Sequence, residues 1–298
     1  MPYLWKTLLL MLVAAVGVVG SDQISGGKIS GGKIARWQMQ PATTAPAPTH
    51  FDPAAAGWKM IFADEFDGET LDQQRWTTCY WWDKAGCTIA TNLELEWYQP
   101  ENVTVADGVL RLQARQQTVR NAEGKVFDYT SGMISSGRSQ WEQSAPLGFA
   151  FQYGYAEIRA KVPAGKGLWS AFWLLPTTHE SLPEIDVMEI LGDAPQLTTM
   201  HLHTAFGRKL YGDLSAEWLG EDFSQDWHTF AVDWQPQHLI WYVDGVARAS
   251  FYNSARIPDE PMYLIANLAV GGIWPGSPDE TTLFPATLEI DWLRVWQP

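Results

Sequence analysis

From Trp58 to Pro298 apolar and polar residues alternate in short runs, cut about every ten to fifteen residues by Gly, Pro, Asn or Asp. A period of two marks strands with one buried face. The pattern predicts strands over Trp58–Phe66, Leu71–Trp76, Leu93–Tyr98, Val103–Val105, Val109–Leu112 and Ser131–Ser136. Further runs fall at Gly154–Val162, Leu168–Pro176, Thr198–Thr204, His228–Gln235, Leu239–Val243, Tyr263–Leu268 and Thr287–Trp296. Asp107-Gly108 and Asp244-Gly245 are hairpin-turn material. Helical periodicity over ten or more residues is nearly absent outside the first twenty, so the expected fold is all-β. Many short strands of this kind fit a two-sheet β-sandwich or jelly roll in one domain, residues 58–298.

Eleven residues break the apolar pattern in a telling way. Leu182 to Gly192 reads LPEIDVMEILG, with Glu184, Asp186 and Glu189 set among Ile185, Val187, Met188, Ile190 and Leu191. On a strand Glu184 and Asp186 share a face, while Ile185 and Val187 point into a core. Strict alternation gives that face Met188 rather than Glu189; a β-bulge around Val187 and Met188 returns Glu189 to it. Two glutamates so placed lean toward the roughly 5–5.5 Å carboxyl separation that double displacement at a sugar requires. Three crowded carboxylates cannot all ionise freely, so one is held protonated beside an ionised neighbour. The same residues also fit a helix start, since Pro183 suits a first turn and Ile185, Met188 and Leu191 repeat at helical spacing. The surrounding strands favour the strand.

Composition narrows the function. The formal charge is −14, from 34 acidic and 20 basic residues, with no basic cluster, which argues against a nucleic-acid partner. Seventeen Trp, ten Tyr and twelve Phe serve core packing, and their excess suits flat apolar ligands such as sugar rings. Residues 1–20, with Lys6 ahead of an apolar run from Leu8 to Val19, read as a secretory signal peptide, an uncleaved anchor being the alternative. The expected location is therefore secreted, extracellular or periplasmic, with no stable membrane association after cleavage. Residues 21–57 are rich in Gly, Ser, Pro, Ala and Thr, repeat ISGGK at Ile24 and Ile29, and read as a low-complexity linker or tail. Cys79 and Cys87 lie in TTCYWWDKAGC; in an exported chain they most simply form a disulfide, and a metal pair lacks further Cys or His nearby.

From about Trp58 to the C-terminus the sequence resembles glycoside hydrolase family 16, the laminarinase and mixed-linkage glucanase group. The likeness rests on ADEFDG at Ala63, NLELEWY at Asn92, GYAEIRAKVPAGKGLWSAFWLLP at Gly154, EIDVMEI at Glu184, HLH at His201, NLAVGGIWPG at Asn267 and EIDWLRVW at Glu289. The five-residue step from Glu184 to Glu189 is similar to the bulged signature of laminarinase-like members. The resemblance implies a concanavalin-like jelly roll with an open cleft, and a retaining endo-β-glucanase acting on β-1,3 or mixed β-1,3/1,4 glucans. Glu184 falls at the nucleophile position, Glu189 at the acid/base, and Asp186 at the acid that hydrogen-bonds the nucleophile.

Other positions are carried over in the same way. His203 matches a histidine close to the acid/base, a satisfied strand histidine being the alternative, while His201 reads as structural. Trp169, Trp173 and Trp274 match cleft tryptophans that stack on sugars, core packing being the alternative and most easily so for Trp173. Glu94 matches a cleft acid that bonds sugar hydroxyls, and Asn267 is a further binding candidate. Asp291 resembles a ligand of a structural calcium site; no cofactor is expected for catalysis. The expected partner is a polysaccharide, a β-glucan, acted on by a monomer. Two features depart from the family. Met133 stands where laminarinase-like members often carry arginine, with Arg138 five residues on, and the CYWWDKAGC loop is more like relatives that cut exopolysaccharides or mixed glucans. Competing readings are a non-catalytic glycan-binding module and a family hydrolase or transglycosylase for another polysaccharide, such as a bacterial exopolysaccharide.

Overall fold

The computed structural model describes residues 50–80, 86–138, 146–178, 181–206, 209–210 and 214–298. The segment read as a signal peptide and most of that read as a tail lie outside the described residues, as do residues 81–85 between the cysteines. Among the described residues no helix is long and apolar enough to cross a membrane.

Two antiparallel sheets face each other. One runs Val246–Phe251, His238–Val243, His228–Gln235, Gly154–Lys161, Ala286–Gln297, Val109–Ala114 and Val103–Ala106 in spatial order, with Lys59–Asp64 also paired to Ala286–Gln297. The other runs Leu214–Leu219, Leu197–His203, Glu184–Leu191, Leu168–Pro176, Met262–Val270 and Met133–Ser135. The alternation seen in the sequence is what packs them: in Gly154–Lys161, Ala156, Ile158 and Ala160 enter the core, whereas Glu157 and Arg159 face out. Phe172, Trp234, Trp241 and Phe230 are fully buried at its centre, each contributing on the order of 1.5–3 kcal/mol by leaving water.

The strand Met262–Val270 is buried at every position because both its faces are covered. Leu264, Ala266 and Leu268 meet the core between the sheets, while Tyr263 and Ile265 join a second apolar layer with Tyr80, Tyr98, Met133 and Trp173. The Cys79–Cys87 disulfide holds the chain at the edge of that layer: Tyr80 N–H donates to Gly86 O at 2.6 Å and Tyr98 N–H to Cys87 O at 2.7 Å.

Leu71–Trp76 is not a strand. Asp72 bonds its own neighbourhood, its Oδ1 accepting from Gln74 N–H and its carbonyl from Trp76 N–H, both at 2.9 Å, and this local turn replaces ladder pairing. Two strands absent from the sequence reading, Leu214–Leu219 and Val246–Phe251, are the outer edges of their sheets. The ordered fold also begins upstream of Trp58. Phe51 N–H donates to Gly245 O at 2.7 Å, and its ring lies 5.4 Å from Trp58, 5.2 Å from Tyr155 and 5.7 Å from Tyr242 on the outer face of the larger sheet.

Candidate active site

Residues Glu184–Leu191 form a strand, not a helix. On one side Phe172 pairs with Met188 and Trp173 with Asp186, which leaves Val187 unpaired; on the other Asp186 pairs with His201 and Glu189 with Thr199. The bulge thus lies between Asp186 and Glu189. Its result is that Ile185, Val187, Met188 and Ile190 all enter the core. Glu184, Asp186 and Glu189 are left on the opposite face. The carbonyl of Asp186, where the bulge starts, accepts a 2.9 Å hydrogen bond from Trp241 Nε1 of the facing sheet, so the irregular backbone is anchored from beneath.

The three acids are not equivalently placed. Asp186 is 3% exposed and Glu189 8%, while the Glu184 side chain keeps 25% of its surface. Glu189 is held on both oxygens: Trp169 Nε1 donates to Oε1 at 3.1 Å, and His201 Nε2 lies 3.2 Å from Oε2. His203 Nε2 lies 3.1 Å from Asp186 Oδ2 and 4.0 Å from Glu184 Oε1. The two imidazoles stack with centroids 5.5 Å apart. The neighbour of Glu189 is therefore His201, and His203 instead contacts the other two acids. Side chains on neighbouring strands reach diagonally as well as straight across, and here each histidine leans one pair along.

Burial pushes the Glu189 carboxyl well above the ordinary carboxylate range, with the negative field of Asp186 adding to the effect, Glu184 contributing further and His203 and Trp169 opposing it. A raised value favours the protonated form, so the contribution to stability is full below the ordinary carboxylate range and is lost as pH rises through the raised one. Glu189→Gln, which cannot ionise, is accordingly expected to keep its melting temperature on going from acidic to mildly alkaline buffer better than the wild type does. Calorimetry of both proteins across that range checks it; parallel curves count against the burial argument.

Trp169 and Trp274 form a half-exposed wall beside Glu189. Their rings meet edge to face at 5.2 Å, and Trp274 also lies 6.2 Å from His201. Trp173 points to the same side but is only 7% exposed. Its Nε1 donates to Asn267 Oδ1 at 2.8 Å, and Asn267 Nδ2 donates to Tyr98 Oη at 3.1 Å. Trp173 and Asn267 thus belong to the layer that supports the cleft rather than to an open stacking surface. Glu94 is buried too, accepting from Ile89 N–H at 3.1 Å and Asn92 Nδ2 at 2.9 Å. Met133 is fully buried in register with Asn267, and Arg138 turns to Thr177 O at 2.7 Å. Sequence reasoning missed the anchoring role of Trp241, a fully buried indole on a strand of the other sheet, for which the sequence carries no signal.

Asp291 lies on the outer side of the other sheet, where its carboxylate pairs with the Arg159 guanidinium. A hard cation needs several oxygens, and a guanidinium on the carboxylate opposes one. The side chains there do not fit a calcium ion. Among the described residues, the one Asp, Glu, His or Cys group whose ligand atoms gather within 4.8 Å is Glu184, Asp186 and His203, inside the site itself.

The family model described as glycosyl hydrolases family 16 matches residues 90–294. Glucan endo-1,3-beta-glucosidase A1 of Niallia circulans is 33% identical over 277 residues, covering 84% of this chain and 39% of that protein. The beta-glucanase of Rhodothermus marinus is 32% identical over 267 residues, covering 82% and 86%. The laminarinase catalytic domain of Thermotoga maritima superposes with a TM-score of 0.71 at 33% identity, covering 81% of this chain and 98% of that one. The chain spans well under two thirds of the Niallia relative's length.

Proposed function

The chain belongs to the glycosyl hydrolases of family 16, and from that premise we propose that it is a secreted endo-β-glucanase cutting β-1,3 or mixed β-1,3/1,4 glucans with retention. The observation that carries this reading is the bulged strand that sets Glu184, Asp186 and Glu189 on one face, where burial favours the protonated form of Glu189. In the proposed reaction the Glu184 carboxylate attacks the anomeric carbon as the glycosidic C–O bond breaks, and Glu189 gives its proton to the departing oxygen. Glu189 then removes a proton from water, whose oxygen displaces Glu184 and frees the sugar. His203, against both Asp186 and Glu184, fixes their orientation, and Trp169 aims Glu189 through its indole N–H. The names of the relatives support the substrate class: one is an endo-1,3-beta-glucosidase, another a beta-glucanase.

A panel of laminarin, lichenan, barley glucan, agarose and xyloglucan tests the reading, with product linkage analysis and proton NMR of the first product. The expected result is internal cleavage of the first three with a β-configured product. Binding without turnover on the whole panel, or an initial α-anomer, overturns it. Export is tested by the mature N-terminus, expected near Ser21.

A further inference from the structure

Outside the triad, the most heavily buried acid in the cleft half of the molecule is Glu96, with 0% exposure. Its Oε2 accepts from Val270 N–H at 2.7 Å, and Leu95 N–H returns a bond to Val270 O at 2.8 Å. Among the described residues the other oxygen, Oε1, meets no donor, and the carboxylate of Glu94 acts on it as a neighbouring negative charge. Both groups are pure acceptors when ionised. Two such groups buried together are relieved when one of them keeps a proton that can bridge the pair. Among the described residues the groups facing it supply no positive charge: they are Glu94, Tyr80 and Tyr98. The flanking strands Tyr129–Ser131 and Met262–Val270 bring Tyr129 and Tyr263 and no charged residue.

What the pair touches leads back to the cleft. Val270 ends the strand that runs into the loop Gly271–Gly276, which carries Trp274. Asn92, bound to Glu94 through Nδ2, accepts Ile273 N–H on its carbonyl at 2.9 Å. Gly272 passes so close that a Cβ there sits 3.1 Å from Asn92 O and 3.8 Å from Glu94 Cγ. Leu93, between Asn92 and Glu94, holds a left-handed backbone with φ 58° and a mostly exposed side chain, an unfavourable conformation for a bulky residue that persists only where its surroundings impose it. Within the loop, Trp274 packs on Trp169, whose indole N–H bonds Glu189.

We propose that Glu96, sharing one proton with Glu94, is a positioning residue that latches the Gly271–Gly276 loop and so holds Trp274 as a wall of the substrate cleft. It touches neither substrate nor the reacting atoms, and the proposal rests on the glucanase reading only for the identity of the ligand. Burial and the adjacent Glu94 carboxylate push Glu96 well above the ordinary carboxylate range. The latch is closed while the proton is present and weakens as pH rises through the raised value, when two carboxylates are left facing each other. The consequence falls on affinity: a displaced Trp274 loses a sugar contact without removing the acid or the nucleophile.

The test compares wild type, Glu96→Gln and Glu96→Ala in the full chain. Gln keeps an acceptor for Val270 N–H and donates to Glu94 at every pH, so it makes the latch permanent. Hydrogen–deuterium exchange of a peptide covering residues 268–276, without substrate, is expected to show wild-type protection in Glu96→Gln at low pH. That protection persists at alkaline pH, where wild type loosens, and Glu96→Ala is loose throughout. With laminarin, Glu96→Ala is expected to raise KM by about five- to tenfold with kcat within about twofold, the pattern of lost uniform binding. Glu96→Gln is expected to hold KM low where wild-type KM climbs. Exchange and KM in Glu96→Gln that follow the wild-type pH dependence overturn the proposal, as does wild-type protection in a folded Glu96→Ala. If Glu96→Ala does not fold, Glu96→Gln decides alone. If wild type leaves laminarin intact, the glucanase reading fails while the exchange result still decides the role of Glu96.

Discussion

Glu189→Gln is expected to slow hydrolysis of laminarin by about 10²–10⁴-fold, the usual effect of removing a general acid, and Glu184→Gln by at least as much, since the proposed reaction forms its covalent intermediate on that carboxylate. The amide at position 189 still accepts the Trp169 N–H, so the site keeps its shape and loses only the transferable proton. An aryl glycoside with a good leaving group separates the two roles. It needs little protonation in the first step, so Glu189→Gln forms the glycosyl-enzyme and then stalls for want of a base to activate water. Mass spectrometry of the intact protein is expected to show one added glycosyl group on Glu189→Gln and none on Glu184→Gln. Accumulation in the second variant instead reverses the assignment, and wild-type rates in either remove it.

The second large effect is expected at a residue on the opposite sheet. Trp241→Phe keeps an aromatic ring in the core, at the cost of a small void that the control below shares, but leaves the buried carbonyl of Asp186 without its donor. An orphaned buried acceptor costs about 1–3 kcal/mol, which for a domain of this size is a drop in Tm of about 2–10 °C. The bulge rests on that bond, so kcat is expected to fall by about 10- to 100-fold through misplacement of the acids. Trp234→Phe is the control. Trp234 is equally buried and donates to Pro258 O at 2.9 Å, away from the bulge. It is expected to cost similar stability with little change in kcat; equal losses of kcat in both variants argue against a specific role for the Asp186 bond.

The bulge was legible in the sequence because the chemistry of each residue allows little else. Four apolar and three acidic side chains within Glu184–Ile190 satisfy two faces only if Val187 and Met188 both turn inward. The identity of the histidine beside Glu189 was not legible. His201 and His203 share a face whatever the register, and the diagonal lean that brings His201 to Glu189 depends on how the bulge offsets the neighbouring strand. Trp173 shows a different limit. Even spacing places it on the cleft side with Trp169, but the layer that covers it comes from Tyr80 and Tyr98, about ninety and seventy-five residues earlier in the chain. Asp291 shows the same limit in reverse: the strand was readable, but its partner Arg159 comes from another strand that only the sheet order brings alongside. Two of the strands missed, Leu214–Leu219 and Val246–Phe251, lie at sheet edges, where exposure on one side weakens the apolar signal.

The contact of Phe51 with Trp58, Tyr155 and Tyr242 bears on how the protein is best produced. Cutting the gene at the point where composition changes, near Trp58, strips away the ring that shields three other aromatics from water and invites self-association during purification. A truncated version intended for crystallisation keeps its start upstream of His50 and so retains this cover.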